Sequence, residues 1–580
     1  MTSRRAVVQD LAWTTVLSVV VLGPLLIGSG YWLFGDMVFV PHQPWKDGWL
    51  GLDGAAPRAV PMDALVSLLT QVVPGSVVQR VLLVGAFLVG GLGAGRLVGA
   101  HGALARAAAI SLMLWNPWVH DRLMLGQWAI LAGYFLLPWV AVTALRAARD
   151  LRRGLPPLWV ALTLAAVCSP SSGLMAVLVA LVLGAGPLRR TTAVASAGLV
   201  ANLPWLVPSL VASGSTLSTD DVFGAFGARA ETSGGTMLSL LSLGGTWKTS
   251  IVAPERTSLL IVVLAAGLSA VALLGLRHSR WPADSRSEPV PRLALLAALC
   301  LGIAALPTLP GGEPLLETLG RWVPSLAVLR DSQRYLAPAV LLLLPGIAGA
   351  VTWARAQVRP GREAMVAVAG ALVIAPMTLL PSLAWGSLGD LQRTTYPDDW
   401  SAVTDLVGDD DTTVVLPWQG SYRGFAWAGR RAVLDPAPRL LPGRVLIDDR
   451  VFVDDVVVPS EDPALVRITA ALAVGDPDLT GPALRAQGVR WVLVEKGMPT
   501  GPVPSGATAY DGPALMLVDL GEPPAPAAAS GGSGRAAVIV GDLLTLVLQL
   551  CMTCVTLWTR ICESRWEATR RCESLGGDPA

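Results

Sequence analysis

A carboxylate, an imidazole and an indole follow one another where the first long apolar run of the sequence ends. Asp36, His42 and Trp45 lie in the proline-stiffened stretch 35–45, directly after the apolar run 11–34. A carboxylate at the boundary between hydrocarbon and water is a stronger base than one in bulk water. We therefore predict that Asp36 is a catalytic base and that His42 and Trp45 contact the substrate. Alternatively, Asp36 is an ordinary polar group at a helix end, and Trp45 belongs to the aromatic belt at the interface.

A second polar cluster falls in a tight turn between two apolar runs. His120, Asp121, Arg122 and Gln127 lie within eight residues of one another in 115–128. Ionisable side chains are costly at a membrane boundary, which favours a functional role. We predict that Asp121 takes part in catalysis or binds a divalent cation, Mg²⁺ or Mn²⁺, and that the other three bind substrate. Alternatively, Arg122 only neutralises Asp121.

A third cluster contains Arg330 and Arg334, at the start of the apolar run 335–354. Residues four apart share a face of a helix. Guanidinium groups grip phosphate through paired hydrogen bonds, so we predict that both arginines bind a phosphate group. Alternatively, their side chains reach to lipid headgroups.

The composition places these clusters in a membrane protein. The chain is 53% hydrophobic and only 15% charged, whereas soluble domains carry about 25% charged residues. The net charge of +1 gives no argument for nucleic acid as a partner. The partners that we expect besides substrates are therefore membrane lipids.

The apolar runs predict a polytopic α-helical protein with about twelve spans, since about 20 residues cross the hydrocarbon core. The predicted spans are 11–34, 78–98, 103–118, 123–145, 156–169, 171–186, 191–213, 257–276, 293–310, 335–354, 364–384 and 536–557. The short pair 156–169 and 171–186 suggests a shielded or re-entrant hairpin that turns at 169–173.

The arginines indicate which side of the membrane each loop faces. Every second connection, and both termini, is rich in arginine, and basic loops are typical of the cytoplasmic side. This pattern predicts a plasma-membrane protein with both termini in the cytoplasm. All three polar clusters then face outward, and the predicted outer loops are 35–77, 116–122, 214–256 and 311–334.

The composition changes after the multi-span region 1–385. Short β-branched runs near 413–417, 445–447, 456–458 and 490–494, and helical patterns at 463–472 and 481–488, predict a small extracytoplasmic α/β domain over 386–525. We further predict a linker at 526–535, a final span at 536–557 and a cytoplasmic tail at 558–580. The sequence lacks a P-loop, a GxGxxG motif after a strand, HExxH and GxSxG, so nucleotide-driven transport and soluble nucleotide-sugar chemistry have no support.

At its three clusters the chain resembles the GT-C superfamily, which comprises polytopic glycosyltransferases that use polyprenyl-phosphate sugars outside the membrane. The stretches 330–334 (RDSQR) and 484–492 (LRAQGVRWV) look like those of bacterial YfhO-type and actinobacterial cell-wall members. The resemblance implies a GT-C-like fold in which Asp36 is the base. It further implies that Asp121 acts at the metal or acceptor, and that Arg330 and Arg334 hold the lipid phosphate. Asp36 stands alone where many members carry a pair of acids, which leaves metal dependence open.

The function expected on this basis is transfer of a sugar, of arabinofuranose or mannose type, from a polyprenyl-phosphate donor to an envelope glycan or glycolipid. One alternative is a flippase or transporter of lipid-linked sugars. Such proteins usually carry ionisable groups at the bilayer midplane, which these spans almost lack. Another alternative is a non-catalytic scaffold for envelope assembly.

Overall fold

The computed structural model describes most of the 580 residues, and the fold below is that of the described part. The described residues are 4–54, 57, 59–212, 222–281, 289–359, 363–453, 456–458, 460, 462–524 and 532–575.

Seven described helices are long and apolar enough to cross a membrane, and the count rises to nine if each of two bent helix pairs is one span. The seven are Arg4–Leu26, Gly75–Leu97, Trp128–Arg149, Leu259–His278, Val290–Thr308, Ser332–Ala356 and Gly534–Thr559. The bent pairs are Leu188–Ala201 with Leu203–Ala212, and Ala364–Leu379 with Pro381–Leu388. Each of the twelve predicted spans coincides with helix, but by length and composition fewer than twelve cross.

The number of spans differs because the helices at three predicted spans, 103–118, 156–169 and 171–186, do not meet the criteria of length and composition. Ala103–Leu114 has only 12 residues, and the chain then forms a separate helix, Pro117–Met124, which carries the second polar cluster. The helices Leu151–Cys168 and Pro170–Gly184 pack against each other. They meet at Ser169, whose side chain accepts a hydrogen bond from the Ser172 N–H, as the predicted turn at 169–173 requires.

The first helix ends at Leu26, ten residues before Asp36, so the prediction of a span over 11–34 is wrong at its C-terminal end. Residues 27–40, here called the Asp36 loop, leave the helix. Within this loop the strand Tyr31–Trp32 pairs antiparallel with Arg393–Thr394. Its side chains are apolar because they are buried beneath the α/β domain, and Trp32 is fully buried.

The α/β domain contains a five-stranded mixed sheet. Its strands, in spatial order, are Ala507–Asp511, Leu515–Asp519, Trp491–Glu495, Thr412–Leu416 and Arg444–Leu446. Thr412–Leu416 runs parallel to both of its neighbours, and the other pairings are antiparallel. Four predicted strands are present, and the predicted helix at 463–472 is Pro463–Leu472. The next helix begins earlier than predicted, at Pro477, and ends at Ala486.

Two small hairpins complete the domain. One joins Tyr422–Arg423 to Val433–Leu434 and is called the Tyr422 hairpin below; the other joins Val451–Val453 to Val456–Val458. The remaining α-helices are Met62–Thr70, Val222–Ala225, Gly235–Leu241, Gly312–Trp322, Asp399–Thr404 and Ala437–Leu440. The 3₁₀ helices are Asp47–Leu50, Thr249–Ile251, Pro254–Thr257, Pro324–Leu329 and Ala426–Ala428, besides those that extend the spans.

The last helix is longer than expected and runs from Gly532 to Leu575. It therefore begins inside the predicted linker 526–535, and it continues beyond the predicted span 536–557 through most of the predicted tail. The rest of that linker, and the last five residues, lie outside the described residues.

Candidate functional site

The backbone of the Asp36 loop is held from two sides. Gly35 N–H donates to the Ala432 carbonyl and the Leu434 N–H donates to the Gly35 carbonyl, both at 2.8 Å. On the other side, the Asp36 N–H donates to the Leu125 carbonyl at 2.9 Å. Gly35 has φ of +51°, and a Cβ atom there would lie 2.1 Å from the Leu125 oxygen. Only glycine fits this position, because it tolerates positive φ and close backbone approach.

The Asp36 carboxylate lies where the helical region meets the α/β domain. The Tyr422 hydroxyl donates to Asp36 Oδ1 at 2.5 Å, and Gln127 Nε2 donates to Oδ2 over a longer distance of 3.4 Å. The Lys248 ammonium group lies 6.0 Å from the centre of the Tyr422 ring. The half-buried carboxylate thus accepts hydrogen bonds from two separate parts of the chain, and Lys248 brings a third part to the Tyr422 ring.

Behind Gln127 lies a fully buried arginine. Arg122 Nη1 donates to Gln127 Oε1 and to Asp331 Oδ2, both at 2.6 Å, and its Nη2 donates to Gln333 Oε1. Because the Gln127 oxygen is occupied by Arg122, its amide nitrogen is turned toward Asp36. Arg122 therefore sets the direction in which Gln127 donates.

Asp331 links this arginine to a second one. Its Oδ2 also accepts from Arg334 Nη2 at 3.1 Å, and Arg334 Nη1 donates to Ser171 Oγ at 2.8 Å. Burial acts to raise the pKa of Asp331, but the charges of Arg122 and Arg334 outweigh it and lower the pKa below its usual value. Asp331 is therefore ionised, and a continuous chain of hydrogen bonds runs from Asp36 to Ser171.

Arg330 and Arg334 do not share a helix face, so that part of the prediction is wrong. The backbone of Asp331, at φ −81° and ψ 77°, separates Arg330 from the helical turn that begins at Ser332. Arg330 instead places its guanidinium 5.3 Å from the centre of the Phe226 ring. Arg334 belongs to the hydrogen-bonded chain, whereas Arg330 lies against the segment 222–226.

His120 and Asp121 are buried in a neighbouring cluster. His120 Nδ1 lies 3.5 Å from Asp121 Oδ1, and Glu231 forms an ion pair with Arg256 nearby. Burial raises the pKa of Glu231 against the opposing charge of Arg256, and the negative charge of Asp121 adds to the rise. Asp121 is thus close to a second acid, but not in a described contact with Asp36.

The predicted cation does not find a matching ligand set in the described residues. Among them, no group of three or more His, Cys, Asp or Glu side chains is arranged to hold a metal ion. Glu231, whose pKa is raised by the charge of Asp121, is paired with Arg256, whose positive charge disfavours a cation. We therefore derive no step through a metal.

His42 and Trp45 follow the Asp36 loop in the chain, and His42 lies beside the helix Met62–Thr70. His42 Nδ1 is 3.2 Å from the Thr70 carbonyl oxygen, and both His42 and Trp45 are exposed. No contact in the described part of the chain joins either residue to Asp36. Their predicted role at the substrate stays a prediction.

Four residues of this arrangement were not among the site residues predicted from the sequence. They are Tyr422, which bonds to Asp36, Asp331 and Gln333, which bond to Arg122, and Lys248, which lies over the Tyr422 ring. Asp331 and Gln333 lie inside the stretch 330–334, from which only the arginines were chosen. A signal was present, because a buried arginine such as Arg122 requires an acidic partner. For Tyr422 and Lys248 the sequence contained no such requirement.

No family model matches the sequence, and no curated protein sequence matches it. Among solved structures, the chain is similar to a cryo-EM structure of the arabinofuranosyltransferase AftD from Mycobacteria, with 17% sequence identity and a TM-score of 0.51. The chain has the fold of part of that enzyme. The similarity covers 90% of this chain and 42% of the AftD chain, so this chain spans about two fifths of its length. The expectation of a GT-C-like fold is supported at this level, and the activity must be argued from the site.

Proposed function

We propose that the protein is a membrane glycosyltransferase that moves a sugar from a polyprenyl-phosphate donor to a cell-envelope glycan or glycolipid. The sugar that we propose is of arabinofuranose or mannose type. The observation that carries the proposal is the Asp36 carboxylate, which is half-buried at the junction of the two parts of the fold and fixed by two side-chain donors. The similarity of fold to AftD supports the proposal.

Asp36 acts as the general base in this mechanism. It takes the proton of an acceptor hydroxyl as the oxygen forms a bond to the anomeric carbon of the donor sugar. The bond from that carbon to the phosphate oxygen breaks, and polyprenyl phosphate leaves with the electron pair. Oδ2 is the better placed oxygen, because the side-chain hydrogen bond that it accepts among the described residues is the long 3.4 Å bond from Gln127, which an acceptor hydroxyl can replace.

Arg334 stabilises the phosphate of the donor and of the leaving group. Its guanidinium contacts Ser171, in the first turn of the helix Pro170–Gly184, and the positive end of a helix dipole favours an anion. Arg330 provides a second positive charge nearby in sequence. Arg122 is fully buried, so we assign it the role of holding Gln127 and Asp331 in place.

The test is the variant Asp36→Asn, which keeps the size of the side chain and removes its basicity. We expect transfer from a polyprenyl-phosphate sugar to fall by about 10²–10⁴-fold, the range that general base catalysis supplies. The assay uses membranes with matched amounts of protein. Asp47→Asn is the control, because Asp47 is an exposed acid of the same segment and pairs with Arg535.

Full transfer activity in Asp36→Asn would overturn the assignment of the base. Absence of transfer by the natural protein, together with movement of sugar lipids between leaflets of proteoliposomes, would instead support a flippase.

A further inference from the structure

We propose that the α/β domain is part of the catalytic site and supplies Tyr422 as the residue that positions Asp36. This inference rests on the proposed function. The carboxylate belongs to the helical region, whereas the hydroxyl 2.5 Å from it belongs to a hairpin almost 390 residues later in the chain. The domain thus touches the reacting group itself.

The Tyr422 hairpin fixes both the backbone of the Asp36 loop, at Gly35, and the side chain of Asp36. Val433 forms a parallel bridge with Gly35, next to the two backbone hydrogen bonds of Gly35 described above. Tyr422, on the partner strand of the hairpin, reaches the carboxylate. A carboxylate that is held at its backbone and at one oxygen cannot rotate freely about its side-chain bonds.

The hairpin is in turn anchored to the sheet of the domain. Neighbouring residues of a strand point to opposite faces, so Arg423 points into the domain while Tyr422 points to Asp36. Arg423 is fully buried, donates to Glu495 Oε2 at 2.8 Å and pairs with Asp435 at 3.1 Å. Glu495 is the last residue of a central strand. The position of the Tyr422 hydroxyl is therefore set by the core of the domain.

As a chemical consequence, the two carboxylate oxygens of Asp36 have different roles. A phenol has one proton to donate, and Tyr422 places it on Oδ1. Oδ2 is left for the proton of the acceptor. Hydrogen bonds to a charged acceptor are about twice as strong as neutral ones, so this bond is strong enough to select one orientation of Asp36.

Tyr422 also connects the site to a third part of the chain. Its side chain is 39% exposed, and Lys248 lies over the ring at cation–π distance. Lys248 comes from the segment 222–256, which also supplies Glu231 and Arg256. The partly exposed ring therefore lies beside Asp36, where a bound acceptor sugar would meet it.

The experiment compares Tyr422→Phe with Tyr396→Phe in the full-length protein. Tyr396 donates to the Phe39 carbonyl at 3.0 Å, so the control removes the same hydroxyl from the same interface without touching Asp36. We expect Tyr422→Phe to lower kcat by about tenfold with little change in KM, and Tyr396→Phe to stay within about twofold of the natural protein.

The split between kcat and KM separates a positioning role from a purely structural one, because a structural defect would lower the amount of active protein in both variants alike. Equal losses in the two variants, or a raised KM with kcat unchanged in Tyr422→Phe, would overturn the inference.

A readout without catalysis separates this inference from the proposed function. Asp36→Ala, Tyr422→Phe and the double variant are compared by thermal unfolding in detergent. We expect the double variant to lose less in Tm than the two single losses added together, because both single changes break one bond. Additive losses would overturn the contact. An inactive natural protein with a non-additive cycle would overturn only the proposed function.

Discussion

A single buried guanidinium organises the polar side chains around Asp36. Removing a charge from water is costly unless it is paired and its hydrogen bonds are satisfied. The two terminal nitrogens of Arg122 meet this condition with Asp331, Gln127 and Gln333, whereas its Nε has no hydrogen-bond partner among the described residues. The guanidinium also stacks near the Trp118 ring, at 5.4 Å from its centre. The cost of burying this charge is offset by a network that turns Gln127 toward the candidate base.

Replacing Arg122 by lysine should therefore lower both the stability and the activity of the protein, even though the charge is kept. An ammonium group is a point charge and cannot reproduce the planar fork that reaches Gln127, Asp331 and Gln333 together. We expect a loss of roughly 1–3 kcal/mol for the buried acceptor left without a donor, seen as a lower Tm in detergent. Transfer activity should fall as well.

Arg153→Lys is the matched control, since the side chain of Arg153 is 68% exposed. It should leave Tm unchanged. An unchanged Tm in Arg122→Lys would show that the several hydrogen bonds of the planar guanidinium are not needed for stability.

At the scale of single elements, the strand Trp491–Glu495 ends in a buried acid that shares its arginine partner with a second buried acid. Its last residue, Glu495, shares Arg423 with Asp435, so two buried acids face one arginine. Burial and then the negative charge of Asp435 raise the pKa of Glu495 well above its ordinary value, against the opposing effect of Arg423. Burial likewise raises the pKa of Asp435. The pair therefore retains a proton at pH values where an unfolded chain has lost it.

The stability of the domain should accordingly fall as pH rises. An unfolded glutamate titrates near pH 4.3, so above this value the folded state binds more protons than the unfolded state, and the free energy of unfolding decreases with pH. Glu495→Gln mimics the protonated acid and removes this dependence. We expect the variant to match the natural protein near pH 5 and to have the higher Tm near pH 8.

The control for this prediction is Glu522→Gln, because the Glu522 side chain is 77% exposed in its pair with Arg490. It should not change the slope of Tm against pH. A Glu495→Gln variant that is less stable than the natural protein at pH 8 would contradict the shared proton.

At the scale of the whole molecule, the α/β domain contacts the residues that follow the first helix at several points. Besides its contacts with the Asp36 loop, Lys46 Nζ donates to the Pro438 carbonyl at 2.8 Å, and Arg439 pairs with Asp63 at 2.9 Å. Burial holds the Lys46 pKa down to about 7, with Arg439 adding to the effect. These contacts join the domain to the Asp36 loop, to Lys46 and to Asp63, so all of them must lie on the same side of the membrane.

We expect the α/β domain to face outward. In a cysteine-free background, a membrane-impermeant maleimide should label Glu522→Cys in intact cells and Arg153→Cys only after the cells are made permeable. Both positions are well exposed in the structure, so a failure to react would reflect sidedness. The reverse pattern of labelling would invert the proposed topology and would place Asp36 in the cytoplasm.

The sequence predicted what depends on local pattern. The helices of the spans and four strands of the α/β domain follow from apolar periodicity and from short β-branched runs. The end of the first helix could not be predicted, because residues 31–34 are as apolar as a span, whereas in the structure they are buried and the strand Tyr31–Trp32 pairs with a distant part of the chain. The contact of Tyr422 with Asp36 could not be predicted for the same reason, because an exposed tyrosine in a short strand has no local feature that identifies its distant partner.

The pairing of the Asp36 loop with the α/β domain has a consequence for how the protein is made. Gly35 bonds to residues roughly 400 positions later in the chain, and a ribosome adds about 5–20 residues per second. The loop must therefore wait about 20–80 s after its own synthesis for the partner that shapes it. During that interval the strand Tyr31–Trp32 lacks its partner strand and Asp36 lacks Tyr422, so the nascent chain carries the acid without the geometry that we propose for catalysis. Activity would begin only when the α/β domain has been made and has docked.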